Sequence, residues 1–226
     1  VGSSPDQLRV LDAFCGVGGA TRGYQLRGLY VVGVDIAPNP DYCGDEFIRS
    51  DAVEFIREHG GEFDFIHTSP PCPGYSSLTK GTNESQGWDA ALGYPRLIPD
   101  VRRVLRQSGR PYVIENVQGS PVRVDALLCG ASFGLRVLRH RYFEMGRWHT
   151  RAPVHKPHRG RVQGWRHGTY YDGPYRAVYG DGGGKGSISD WQQAMGIDWT
   201  ADTKSIAQAI PPAYTHWLAG HWLGVG

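Results

Sequence analysis

Four short apolar runs alternate with three segments of helical character along the first half of the chain, and each run ends where glycine, proline or a charged residue takes over. "LRVLDAF" (8–14), "YVVGVDI" (30–36), "FDFIHTS" (63–69) and "PYVIENV" (111–117) have the length and β-branched content of buried strands. Between them "GGATRGYQLRG" (18–28), "AVEFIREH" (52–59) and "PRLIPDVRRVLRQSG" (95–109) read as helices, the first opened and the last closed by glycine. Strands separated by helices pair in parallel and are buried on both faces, so the pattern predicts an α/β fold with helices on either side of one sheet. Ligands of such sheets gather at the carboxyl ends of the strands. The chemistry is expected in the turns that follow these runs.

The rest of the composition excludes several classes. A chain of 226 residues makes one domain, or one domain with a small appendage, and buries a sizeable core. It has no run of about 18 apolar residues, so no membrane partner is expected. "VGSSPDQ" at the N-terminus reads as a short tail rather than a signal peptide. Cys15, Cys43, Cys72 and Cys129 are widely spaced with no C-x-x-C pair, which argues against a disulfide scaffold or a cysteine zinc cluster and for a reducing cytoplasm. A monomer is expected. The net charge of +2 is small but uneven: residues 145–187 hold eight basic residues against two acidic ones, leaving the remainder of the chain net acidic.

The first strand-to-helix turn, "DAFCGVGGATRG" (12–23), places Gly16, Gly18 and Gly19 where the backbone must turn tightly and approach a ligand. Asp35, at the tip of the second run, is placed to accept hydrogen bonds from ribose hydroxyls. The spacing departs from G-x-G-x-x-G, which favours a mononucleoside cofactor such as S-adenosylmethionine over a dinucleotide. A tight turn without a ligand has the same glycines. Asp51 fits either an adenine amino group or the N-cap of the helix that starts at Ala52, and taken alone the cap is the better reading.

In "HTSPPCPGYSSLTKG" (67–81) Pro70, Pro71 and Pro73 lack amide donors and fix their own φ, so the chain leaves the sheet and projects Cys72 on a stiffened loop. A thiol held this way beside a cofactor turn suits a nucleophile, although a small buried cysteine is the commoner state of any lone cysteine. Glu115 and Asn116 end the strand 111–117, and Arg139 and Arg141 have the period-two spacing that puts both on one face of a strand. A carboxyl able to share a proton with a ring nitrogen, a guanidinium able to hold a carbonyl oxygen and a thiol form a set suited to an electron-poor pyrimidine.

These blocks together resemble the DNA (cytosine-5)-methyltransferase family, in family order: "LDAFCGVGG", "SPPCPGYS", "ENV", "RHR" and "SIAQAIPPAY" (205–214). The resemblance covers nearly the whole chain except roughly residues 147–188. It implies a Rossmann-like S-adenosylmethionine-dependent fold over residues 1–146, a small basic target-recognition region at 147–188, and a C-terminal segment, 189–226, that returns to complete the cofactor site. It implies double-stranded DNA as partner, with Cys72 attacking carbon 6 of a flipped-out cytosine, Glu115 at ring nitrogen 3, Arg141 at the base carbonyl, and Arg139 supporting the loop or the phosphate backbone. For the cofactor it implies Asp12, Phe14, Cys15, Gly16, Val17, Gly18 and Gly19 in the first turn. Asp35, Ile36, Asp51 and Ala52 follow the next two strands, and Pro70, Gln208 and Ala209 complete the set. Pro71, Ser76, Asn116, Val117, Arg159, Arg161 and Arg166 are the residues expected to meet the substrate. The sequence departs from the family at Pro73, Val137 and Gln208, where glutamine, glutamine and asparagine are usual. Action on RNA or a free pyrimidine nucleotide, or a DNA-binding module without turnover, are the alternative readings.

The basic segment mixes arginines with histidines and aromatics, a composition suited to phosphate contact and base stacking. Its His149, His155, His158 and His167 have no cysteine among them and no regular pair spacing, so no metal centre is expected. "DGGGKG" (181–186) lacks the context of a phosphate loop and reads as a hinge. "SISDWQQAMGIDW" (187–199) reads as a short helix capped by Ser189 or Asp190 and stopped at Gly196, and 203–223 as a helix broken at Pro211-Pro212.

Overall fold

The structure is a computed structural model, and it describes residues 7–71, 96–155, 157–166, 168–180 and 186–225. Seven strands form one sheet: β1 (Arg9–Ala13), β2 (Tyr30–Asp35), β3 (Glu46–Arg49), β4 (Phe65–Thr68), β5 (Tyr112–Asn116), β6 (Ala126–Leu128) and β7 (Arg141–Gly146). Their spatial order is β3-β2-β1-β4-β5-β7-β6. The first five are parallel, whereas β7 runs antiparallel to both β5 and β6. The expected parallel sheet therefore holds for five strands. It ends at β7, which follows β6 through the 3-10 turn Gly130–Phe133 with no crossover helix between them. A separate hairpin joins β8 (Gly164–Arg166) to β9 (Thr169–Tyr171).

Alternation along each strand sorts the core into two layers. Leu11, Val32, Ile66 and Ile114 face α2 (Ala52–His59) and α3 (Ile98–Ser108), meeting Ile56, Val101 and Leu105. Their neighbours Val10, Val31, Phe65 and Val113 face the opposite way, onto Tyr24 of α1 (Gly19–Gln25) and onto Tyr214 and Leu218 of α6 (Pro212–Trp222). Full burial of each such side chain stabilises the fold by roughly 1.5–3 kcal/mol. A third cluster gathers Val137, Val178, Trp191, Met195 and Ile206, tying the turn before β7 to α4 (Ile188–Met195) and α5 (Thr203–Gln208).

The end of the described chain returns to the beginning. A Cβ on Gly23 would lie 2.0 Å from Thr215 Oγ1 and 2.2 Å from the Pro212 carbonyl, so the absence of a side chain is what lets α1 and α6 meet. Thr215 Oγ1 donates to the Ala20 carbonyl at 2.7 Å across that contact. Helix 203–223 is broken as expected, with Pro211 as the extended residue before α6. The cap of α4 is Ser187 rather than Ser189 or Asp190: its hydroxyl accepts from Asp190 N while the Asp190 carboxylate accepts from Ser187 N, a reciprocal capping box. Among the described residues no helix is long and apolar enough to cross a membrane.

Candidate active site

The first turn is shaped by backbone geometry. Phe14, Gly16 and Gly18 all have positive φ, at 61°, 50° and 88°, and the Phe14 and Cys15 amides donate to the Val34 carbonyl at 2.8 and 3.2 Å. Gly16 N donates to Asp35 Oδ2 at 3.1 Å, so the acid expected at a ribose also fixes the turn opposite it. A Cβ on Gly16 would meet nothing within 4 Å, whereas one on Gly18 would strike Cys43 Sγ at 2.7 Å and one on Gly19 the Ile210 carbonyl at 2.4 Å. The turn is thus open at Gly16 and closed behind by the C-terminal segment. Ala209 packs against Gly19, Gln208 beside it is exposed, and the Trp199 indole donates to the Val17 carbonyl at 2.8 Å. Next to Asp35, Ile36 is 68% exposed.

Asp12 lies beneath this turn with no exposure. Thr21 donates to its Oδ2 at 2.6 Å, but its Oδ1 has no hydrogen-bond partner among the described residues. Burial, aided by the Asp35 and Glu115 charges, pushes its carboxyl up to about 7. Burial raises the Cys15 thiol well above its ordinary range, so Cys15 packs rather than reacts. Asp51 is the N-cap of α2, its Oδ1 accepting from Val53 N and Glu54 N at 2.9 Å each, and Ala52 is buried against the core.

The second group forms where β5 meets β7. Glu115 is 6% exposed, and Arg141 Nε lies 2.9 Å from its Oε1, an ion pair without the alignment of a hydrogen bond. Burial raises the Glu115 carboxyl above its ordinary value, opposed by Arg141, the Ser69 hydroxyl and Arg139. Ser69 in turn meets His67 Nε2 at 3.1 Å, and His67 Nδ1 meets the Tyr24 hydroxyl at 3.0 Å. Burial lowers His67 to about 3, so this chain is neutral and orients Ser69 without adding charge. Asn116 is buried and donates to the Pro70 carbonyl at 2.9 Å, while its own Oδ1 accepts from Val117 N at 3.0 Å. Asn116 therefore anchors the proline loop where the chain leaves β4, with Pro70 buried and Pro71 exposed. Cys72, Pro73 and Ser76 lie outside the described residues.

Arg139 is not on the strand with Arg141. It precedes β7 with φ of 35°, and its guanidinium donates to the Val178 carbonyl at 3.1 Å and the Ala207 carbonyl at 2.6 Å. The period-two reading failed because β7 begins only at Arg141; Arg139 instead clasps the end of the basic segment and the end of α5. In the basic segment Arg159 and Arg161 are exposed, and Arg161 stacks over the Tyr171 ring at 5.3 Å. Arg166 lies in β8, and its side chain, with His167 and residues 181–185, falls outside the described set.

One constellation escaped the sequence reading. Cys129, His140, His155 and His158 bring one Sγ and three ring nitrogens within 4.8 Å of one another. Of the four histidines weighed from the sequence, His155 and His158 take part; His149 lies instead near Asp125, and His167 is outside the described residues.

Searched against known family models, the chain matches none. A type II methylase of Herpetosiphon aurantiacus, M.HgiDII, is 29% identical over 104 residues, a stretch taking in 41% of this chain and 29% of that protein. The chain thus spans under a third of that relative's length. Among solved structures, the Entamoeba histolytica methyltransferase EhMeth superposes with a TM-score of 0.60 at 11% identity, covering 97% of this chain and 98% of that one. The S. pombe Dnmt2 methyltransferase gives a TM-score of 0.55 at 12% identity, with 96% and 99% covered. The fold is that of a Rossmann-like methyltransferase. Its strand order accounts for the placement of both groups, at the carboxyl ends of β1, β2, β4 and β5.

Proposed function

We propose that the chain is an S-adenosylmethionine-dependent methyltransferase acting at carbon 5 of cytosine in double-stranded DNA, through a covalent adduct on Cys72. The observation that carries this reading is the buried Glu115–Arg141 pair beside a proline loop pinned by Asn116, two residues before that cysteine. The likeness over 104 residues to a type II methylase supports methyl transfer as the reaction.

The residues of the first turn fit the cofactor. Gly16 leaves open space in a left-handed turn, Asp35 retains acceptor capacity at its rim, Ile36 offers an apolar face, and Asp12 has a buried oxygen lacking a partner. S-adenosylmethionine is the cofactor, and it supplies an electrophilic methyl group. A cationic ligand also compensates the crowding of Asp12, Asp35 and Glu115.

The chain's own residues prepare the base. Cys72, as thiolate, forms a bond to carbon 6, and the ring electrons move toward carbon 5. Glu115, whose raised carboxyl value favours the protonated form, holds a proton at ring nitrogen 3, and Arg141 holds the carbonyl oxygen on which charge gathers. The methyl carbon would bond to carbon 5 as its bond to the sulfonium sulfur breaks, leaving a neutral thioether; carbon 5 then loses its proton to water, the carbon 5–carbon 6 double bond re-forms, and the sulfur–carbon 6 bond breaks, returning its electrons to Cys72. Neither ring face is open inside a duplex, so the base leaves the stack at a cost of a few kcal/mol offset by protein contacts. Residues 147–188 supply those contacts as a recognition region, between a catalytic part at 1–146 and a closing part at 189–226.

Competition for labelled methyl transfer among duplex DNA, RNA and dCMP tests the substrate. The expected result is labelled duplex DNA with the others inert; preferential labelling of RNA or dCMP reassigns the substrate while leaving the chemistry.

A further inference from the structure

Cys129 follows β6 and is 1% exposed; His140 sits between Arg139 and Arg141 at the start of β7; His155 and His158 come from the basic segment. His155 Nε2 lies 3.0 Å from His140 Nε2 and 3.2 Å from His158 Nε2, and His158 Nε2 lies 3.3 Å from Cys129 Sγ. Three histidines thus aim the same ring atom, Nε2, at one point that the thiol shares.

Hydrogen bonding does not account for this convergence. An imidazole nitrogen carries one N–H or one lone pair in the ring plane, so it makes one such bond. Here His155 Nε2 faces two ring nitrogens, and His158 Nε2 faces a ring nitrogen and a sulfur. Pairwise bonds leave part of the set facing its own kind. A cation at the centre uses every lone pair at once.

We propose that Cys129, His140, His155 and His158 bind a zinc ion. Zinc–nitrogen bonds of about 2.0–2.1 Å and a zinc–sulfur bond of about 2.3 Å at the tetrahedral angle put ligand atoms roughly 3.3–3.6 Å apart. The three close separations, 3.0, 3.2 and 3.3 Å, are near that range and need only a small expansion, while the wider ones, within 4.8 Å, close by up to about 1 Å as the ion is taken up. Mixed imidazole and thiolate donors suit zinc over magnesium or calcium, which take oxygen. Four protein ligands fill the coordination sphere, so the ion is structural and leaves no position for water. His158 also meets the Tyr175 ring edge-on, with centroids 6.2 Å apart, which helps seat the segment.

The placement gives the ion a task. Two ligands belong to the strand region that carries Arg141, and two belong to the basic segment, so the metal staples one to the other. On the reading given under Proposed function, it sets the recognition region in register with the catalytic pair. Chain entropy explains the need: among the described residues of that segment the only strands are the three-residue β8 and β9.

Metal content decides the matter without nucleic acid or turnover. The full chain, purified without an immobilised-metal step, is expected to hold about one zinc per molecule by plasma mass spectrometry, falling at least ~10-fold in His158→Ala and Cys129→Ser but not in Cys43→Ser. Cobalt added to the demetallated wild-type chain should give the visible bands of a tetrahedral ion and a thiolate charge-transfer band that Cys129→Ser removes. Because these readings begin with wild-type protein, misfolding of a variant does not blunt them. Metal-free wild-type protein that shows no tetrahedral cobalt spectrum overturns the proposal, whatever its methyltransferase activity.

Discussion

The carboxyl edge of the parallel sheet and the basic segment hold their charged groups by opposite means. Along the sheet, Asp12, Glu115 and Glu144 are buried, each on a strand, and Glu144 of β7 is held from outside the sheet: it accepts from Arg102 Nε and Nη2 of α3 at 2.8 and 2.7 Å and from Arg123 N at 2.9 Å. In the segment, Arg159 and Arg161 are exposed, and the organising contacts among the described residues include a hairpin of two three-residue strands, the Arg161–Tyr171 stack and the Cys–His convergence. Buried charge held in one geometry suits bond making, where the environment must be set before the reaction. Exposed charge on a lightly packed segment suits phosphate contact, where long-range attraction matters more than position. Damage to the edge should therefore change rate or stability, and damage to the segment should change affinity and its salt dependence.

The largest expected effect is on rate. Glu115→Gln keeps the shape of the side chain but removes its titrating proton, and kcat should fall about 10²–10⁴-fold with DNA affinity nearly unchanged. Equal loss of affinity would place Glu115 in binding and break the contrast. A stability effect comes next. Arg102→Ala strands the Glu144 carboxylate, whose side chain is 1% exposed, and should cost about 3–5 kcal/mol in urea unfolding. Replacing both partners by apolar residues of similar volume should recover most of that loss.

The Asp12 carboxyl gives a smaller, pH-dependent effect. Its folded value of about 7 stands above the ordinary 3.8, so the unfolded chain ionises first as pH rises. Stability from this group is fully present below about pH 4 and is lost progressively up to about pH 7, by at most about 4 kcal/mol. Asp12→Asn should flatten that part of the profile, measured as the change in urea midpoint between pH 5 and pH 8. An unaltered slope means that Asp12 has its cation already. Smallest is the segment: Arg159→Ala and Arg161→Ala should each weaken DNA binding and reduce the slope of log K against log salt by about 1 per phosphate contact, leaving kcat alone. A loss of kcat instead would sharpen the contrast against us.

The sequence was most legible where local patterning decides structure. β1, β2, β4 and β5 fall within the four apolar runs, and α2 occupies 52–59 as expected, because period and burial coincide there. β3 went unread because it is an edge strand with polar ends, exposed at Glu46 and Arg49. The reversal at β7 and the positive φ of Arg139 depend on contacts with Val178 and Ala207, far along the chain. The Cys–His convergence was hidden for the same reason: its cysteine lies 29 positions before His158, and no local spacing announces it. Asn116 was singled out as a substrate contact, whereas the bond it makes to Pro70 was not legible, since Pro70 lies on a different strand end.

The covalent step is the centre of the account, and a duplex carrying 5-fluorocytosine tests it most directly. Fluorine does not leave carbon 5 as a proton does, so with labelled S-adenosylmethionine the reaction stops with the base attached to the enzyme. A denaturation-resistant, methyl-labelled adduct is expected with wild-type protein and none with Cys72→Ser. Demonstrable cofactor binding with no adduct on any duplex sequence, or an adduct that persists in Cys72→Ser, would contradict it.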